Sequence, residues 1–247
     1  MCRMFFQCAK KPFTVEYGIL KKFISSCHWK YFRKYNLLGH HNLGWGYSYL
    51  SEEDQRLYVK RDLTPIYKAH WKDLISLRTK FLLIHARKSY PWKKDPNNIH
   101  PIDIREKYLM THNGTIVNSS VPLLKDPKLE QIKKSTNLDT RKYLCYVIDE
   151  LKQRLVLKSA LESVFETLEL GIGANAFLFN TKECNVIKRQ NNRFNGRHRT
   201  LFIAKYNEGY LVSTSPLTNN PLEIPNNSLI KIDLDTLQLK VNKLEVV

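Results

Sequence analysis

The chain has 247 residues, 43% of them hydrophobic, enough for one substantial domain with its own core. Its net charge is +17 and its pI near 9.6, a balance that favours encounters with anions, nucleic acid included, without specifying a fold. No apolar run approaches the roughly 18–20 residues of a membrane span, and the opening stretch from Met1 to Cys8 is too short for a secretory signal. These features predict a soluble, cytoplasmic protein, a single domain over residues 1–247 with no membrane partner.

The five cysteines are Cys2, Cys8, Cys27, Cys145 and Cys184. Their number is odd and no pair has CxxC spacing, so neither a disulfide framework nor a zinc or redox motif is expected. Cys145 lies in a helical apolar pattern and reads as a buried thiol. The sequons at Asn113, Asn118 and Asn226 are chance matches if no signal peptide precedes them.

In chain order, Phe81 to Ala86 reads as a buried strand. Tyr108 to Thr111 is another, running into His112-Asn113-Gly114-Thr115, where Asn-Gly signals a turn, with Ile116-Val117 starting the return strand. After Thr136-Asn137-Leu138-Asp139 the period becomes helical, with Leu144, Val147, Ile148, Leu151 and Leu155 on one face and Asn137 or Asp139 as cap. A second helix is expected from Ser159 to about Leu170. Strands follow at Ala176–Asn180, Cys184–Arg189, Leu201–Tyr206 and Tyr210–Thr214, the last two joined by a turn at Asn207-Glu208-Gly209. A terminal hairpin pairs Ser228–Leu234 with Leu237–Val241. Strands, a central helical pair and strands again predict an α+β layered architecture rather than alternating βαβ units. No Gly-rich phosphate loop is present. The densest basic patch runs from Lys188 to Arg199; it reads as a solvated loop, with a nucleic-acid contact as the alternative.

Four segments join Cys2-Arg3-Met4 in carrying the chemistry. They are His40-His41-Asn42-Leu43-Gly44-Trp45-Gly46-Tyr47, Ile84-His85-Ala86-Arg87-Lys88-Ser89, Asn98-Ile99-His100-Pro101 and Thr111-His112-Asn113-Gly114-Thr115-Ile116. With Met1 removed, Cys2 holds a thiol and an α-amino group on one residue. An α-amine with a pKa of about 7.7–8.0 serves as a base near neutral pH, and thiolate is the reactive nucleophile.

In this order the segments resemble the class II glutamine amidotransferases, members of the N-terminal nucleophile hydrolases, and in particular their stand-alone branch. The clear resemblance covers about residues 1–150; Ser213 to Leu217 and the terminal hairpin also look similar. It implies a four-layer αββα sandwich with Cys2 at a strand start. It implies that Cys2 attacks the side-chain amide of glutamine, giving a γ-glutamyl thioester and ammonia. Asn113 and the Gly114 backbone N–H would form the oxyanion hole, Arg87 would hold the substrate α-carboxylate, and Asp139 the α-ammonium group. His112 belongs with this substrate-binding set or, like His85 and His100, hydrogen-bonds backbone near the site. Trp45 reads as packing. The mechanism needs no metal and no other cofactor, and the histidine spacing fits no standard zinc motif. Two positions depart from the family pattern: Leu43 stands where an acid is common, and Arg141 where an acid usually follows the substrate-binding Asp.

The implied partners are glutamine or a γ-glutamyl compound and a separate ammonia-accepting synthase subunit. A γ-glutamyl peptide hydrolase is the near alternative. A nucleic-acid-binding module or a non-catalytic partner protein lies further off.

Overall fold

A computed structural model describes residues 2–28, 40–88, 94–104, 107–180, 182–191 and 200–246. The chain divides into two compact units. One comprises residues 1–101, 196–224 and 233–238; the other, residues 102–195, 225–232 and 239–247.

The first unit is a seven-stranded antiparallel sheet with, among the described residues, one α-helix. Its strands are β1 (Arg3–Thr14), β2 (Trp45–Ser51), β3 (Leu57–Asp62), β4 (Arg78–Ala86), β9 (Phe202–Tyr206), β10 (Gly209–Ser213) and β11 (Leu222–Glu223), in spatial order β11-β9-β10-β1-β4-β2-β3. β1 is central and alternates. Phe5 packs on Phe23 of α1 (Tyr17–Ser26), their ring centroids 5.5 Å apart, while Phe6 meets Phe81 of β4 from the opposite face. The helix side closes over Ile19, Leu20, Phe23 and Ile24 with Leu82, Ile84 and Leu211. The turn between β9 and β10 falls at Asn207-Glu208, both at positive φ, as the sequence predicts.

The second unit is a six-stranded antiparallel sheet under three helices. Its strands are β5 (Ile102–Ile104), β6 (Tyr108–Ile116), β7 (Leu170–Phe179), β8 (Glu183–Lys188), β12 (Ser228–Asp233) and β13 (Leu239–Lys243), in order β13-β12-β8-β7-β6-β5. The helices are α2 (Pro127–Lys134), α3 (Asp139–Arg154) and α4 (Leu157–Thr167). Tyr143, Leu144, Val147 and Ile148 of α3 and Leu161, Val164 and Phe165 of α4 bury against Met110, Ile116, Ala174, Ala176, Leu178 and Ile187 of the sheet. Each unit is thus a sheet with helical cover, and the α+β expectation holds. No described helix is long and apolar enough to cross a membrane.

Several expectations need correction. His112-Asn113-Gly114 is not a turn but the middle of β6, paired with β7 from Leu109↔Phe179 to Thr115↔Gly173. Asn-Gly serves a strand here because Gly114 must lack a side chain: a Cβ there would lie 1.7 Å from the Gly173 carbonyl oxygen. Neither Asn137 nor Asp139 caps α3. The N-cap is Leu138, which makes no side-chain cap bond, and Asp139 turns its carboxylate to Ile116 N (3.2 Å) and Thr140 N (2.8 Å). Leu155 is no core residue; it ends α3 at φ +60° and is 83% exposed. The second helix stops at Thr167, and Leu170 already belongs to β7.

Elements the sequence reading passed over include the β2–β3 hairpin, α1 and α2. The start of α2 was signalled by Asp126-Pro127: the Asp126 carboxylate accepts from Lys128 N and Leu129 N, and proline occupies the first turn.

The Gly114–Gly173 approach can be tested by thermal melting. Gly114→Ala must push two paired backbones apart and is expected to destabilise the protein by about 3 kcal/mol. An unchanged melting temperature contradicts this packing.

Candidate active site

In the first unit, β1 and β4 run antiparallel with Arg3 opposite Ala86, the last residue of β4. Continuing one residue outward on each strand, Cys2 and Arg87 sit at the same end of the sheet. Arg3 anchors this end. It is 3% exposed, and its guanidinium donates to the Thr214 carbonyl (3.0 Å) and the Ser26 carbonyl (3.4 Å). Thr214 also bonds Met4 in both directions: its N–H donates to the Met4 carbonyl, and its hydroxyl accepts from Met4 N, each at 3.1 Å. The Ser213–Leu217 segment therefore clamps the strand that begins next to Cys2.

Arg87 is held by the other motifs. Its N–H donates to the Gly44 carbonyl (2.9 Å), its carbonyl accepts from Leu43 N (3.3 Å), and its Nη1 donates to the Asn98 carbonyl (2.9 Å). Gly44 has φ +116°, where a Cβ would also lie 2.5 Å from the Asp62 carbonyl. Leu43 is buried, so where the family pattern has an acid this chain packs a hydrophobe, and the contact to Arg87 is made by backbone. Gly46 lies under the His100 carbonyl, and the His85 and His100 rings stack with centroids 4.2 Å apart. Trp45 packs into the helix-side core and stacks on Tyr47. Lys88 follows Arg87, half-buried, and burial pulls its pKa below the ordinary lysine range.

Cys2 is partly exposed, whereas Cys8, Cys27, Cys145 and Cys184 are fully buried. Burial pushes the Cys8 and Cys27 thiols up to about 12, so neither supplies thiolate near neutral pH.

In the second unit, His112, Asn113 and Gly114 lie in the middle of β6, and Asp139 bonds Ile116 at its end. Strand alternation sorts them. Met110 and Ile116 face the helices, as does His112, whose ring meets Tyr143 edge-on at 5.7 Å. Thr111 and Asn113 point to the helix-free face. Asn113 is 1% exposed, yet its side-chain Nδ2 and Oδ1 have no partner among the described residues; the same holds for the Thr111 hydroxyl. Buried amides are ordinarily paired, and an unpaired one costs about 1–3 kcal/mol.

The Gly114 N–H is directed by the ladder. Ala174, its partner on β7, donates its own N–H to the Arg189 carbonyl (2.7 Å), on the β8 side. Gly114–Ala174 is therefore a non-hydrogen-bonded pair, and the Gly114 N–H points away from β7. On that side β5 pairs with β6 only as far as Met110. A buried amide donor and a backbone N–H thus stand on consecutive residues, the donor pair a developing oxyanion needs. Arg141, the second departure from the family pattern, lies half-buried in the first turn of α3, where its N–H donates to the Leu138 carbonyl.

The sequence reading passed over Thr140 and Gly173, and it gave Thr111, at the head of the His-Asn-Gly segment, no role. Only Gly173, in Gly171-Ile172-Gly173, left a signal, a pair of glycines inside a strand. The basic patch is not wholly solvated: Lys188 and Arg189 are 2% and 8% exposed, and Arg189 donates to the Asn227 side chain (2.8 Å). Arg193, Arg197 and Arg199 lie outside the described residues. No cluster of three or more metal-ligating side chains occurs among the described residues.

Comparisons with known proteins fit this geometry. The family model described as class-II glutamine amidotransferases matches residues 22–178. No curated protein matches the sequence. Among solved structures, a glutamine aminotransferase class-II domain protein from Silicibacter pomeroyi is similar at 12% identity and a TM-score of 0.64, over 98% of this chain and 99% of that one. The glutamine phosphoribosylpyrophosphate amidotransferase of B. subtilis is similar at 16% identity and a TM-score of 0.62, over 100% of this chain and 50% of that one. A predicted glutamine amidotransferase from Pseudomonas aeruginosa aligns at 12% identity and a TM-score of 0.56, over 97% and 100%. The fold is that of the N-terminal nucleophile hydrolases, and the chain belongs to the class-II glutamine amidotransferases.

Proposed function

We propose that the chain, after loss of Met1, releases ammonia from glutamine through a γ-glutamyl thioester on Cys2. The observation that carries this reading is the buried, unpartnered Asn113 amide beside the outward N–H of Gly114. The Cys2 α-amine takes the thiol proton, and the sulfur forms a bond to the γ-carbonyl carbon of glutamine. The carbonyl oxygen gains negative charge and is received by Asn113 Nδ2 and Gly114 N–H. The C–N bond then breaks, the proton passes to the leaving nitrogen, and ammonia departs. Water attacks the thioester, glutamate leaves, and the thiol is restored.

Arg87 binds the substrate α-carboxylate with guanidinium donors beyond the one given to Asn98. Asp139 receives the α-ammonium group with carboxylate capacity beyond its two backbone bonds. The domain acts as one functional unit in a reducing compartment, where Cys2 stays a thiol. The chain spans half of the phosphoribosylpyrophosphate amidotransferase it resembles.

Two variants test the assignment. Cys2→Ala is expected to abolish ammonia release from glutamine while keeping the wild-type melting temperature; undiminished release would sink it. Asn113→Leu removes an unpaired buried amide, so it is expected to raise stability by about 1–3 kcal/mol. The same change is expected to lower kcat about 100- to 1,000-fold. A variant that is more stable and fully active contradicts the oxyanion role.

A further inference from the structure

We infer that His112 is a positioning residue for the proposed reaction: one imidazole fixes both the backbone that presents Gly114 and the carboxylate of Asp139. The inference rests on the amidotransferase reading above. His112 is 3% exposed and lies on the helix side of β6, opposite to Asn113, so it acts through its neighbours rather than on the reacting amide.

Its two nitrogens have different duties. Nε2 lies 3.3 Å from the Gly173 carbonyl oxygen. A carbonyl only accepts, so Nε2 carries the proton. Nδ1 lies 3.0 Å from the Thr140 hydroxyl, which in turn donates to Asp139 Oδ1 (3.4 Å). The carboxylate of Asp139 is the charged group facing the ring, with Oδ2 3.9 Å from Nδ1, and Tyr143 is the titratable neighbour from α3.

Each arm ends on a residue of the proposed site. Gly173 has φ +155°, and its carbonyl oxygen fills the space a side chain at 114 would occupy. The Nε2–H bond holds that carbonyl against the β6 backbone at Gly114. On the other arm, Thr140 N donates to Asp139 Oδ1 (2.8 Å), and Asp139 Oδ2 accepts from Ile116 N (3.2 Å). The chain of contacts runs Gly114, Gly173, His112, Thr140, Asp139, joining the oxyanion donor to the ammonium receptor through one ring.

The arms can be cut separately in the full chain. Thr140→Val removes only the Asp139 arm and is expected to raise KM for glutamine about 10-fold with kcat within about twofold. His112→Phe removes both and is expected to lower kcat at least about 10-fold while also raising KM. The ¹⁵N spectrum of the wild-type imidazole is expected to show a proton on Nε2. An Nδ1–H tautomer, or an active wild type whose kcat and KM both variants leave unchanged, overturns the inference alone. Should His112→Phe fail to fold, Thr140→Val and the imidazole spectrum decide it. A wild type inert toward both glutamine and γ-glutamyl peptides overturns the amidotransferase reading, and the role of His112 in turnover with it.

Discussion

The close approach of Gly114 to the Gly173 carbonyl is the constraint on which the second unit depends. Two strand backbones meet where a single methyl group would collide, and that contact decides much else. It forces glycine at 114, allows a carbonyl to turn toward the helices at 173, and gives His112 an acceptor. It also keeps β6 running as a strand through a dipeptide that would otherwise favour a turn. With β6 straight, Asn113 projects to the face opposite the helices and the Gly114 N–H to the open side of the strand.

The first unit solves a different problem, that of holding the end of a chain still. Termini fray unless tied down. Here the tie is a buried guanidinium: Arg3 donates to carbonyls from α1's last residue and from Thr214, while Thr214 bonds Met4 twice. The residue before Arg3 inherits that rigidity. Arg87, one strand over, is fixed by backbone bonds to Leu43 and Gly44 and by the Asn98 carbonyl, so three separated sequence motifs converge on one cation. Cys2 and Arg87 thus stand at the same end of two paired, clamped strands. The amide of Asn113 works the other way in stability: among the described residues it is buried without a partner.

The family was more legible in the sequence than the architecture. Cys2, Arg87, Asn113, Gly114 and Asp139 stand in motifs whose joint order pointed to the family that the match over residues 22–178 shows. Periodicity found α3, α4 and most later strands because their apolar residues repeat at helix or strand spacing. It failed where long-range contact overrules local preference. Asn113-Gly114 has turn chemistry but a strand's environment, imposed by a residue 59 positions later, Gly173. Asp139 looks like a cap but is drawn away by Ile116 N, 23 residues earlier. Leu155 fits the apolar repeat yet sits where α3 ends in a left-handed residue. Lys188 and Arg189 read as solvated cations, and strand pairing buries them.

The central claim is that Cys2, as the first residue of the mature chain, is the nucleophile. It is tested most directly by the intact mass of the protein after incubation with an electrophilic analogue of glutamine, followed by mapping of the adduct. The account predicts a chain lacking Met1, carrying one adduct on Cys2, with glutamine slowing its formation. A catalytically active chain that retains Met1, or an adduct on any other cysteine, would contradict it.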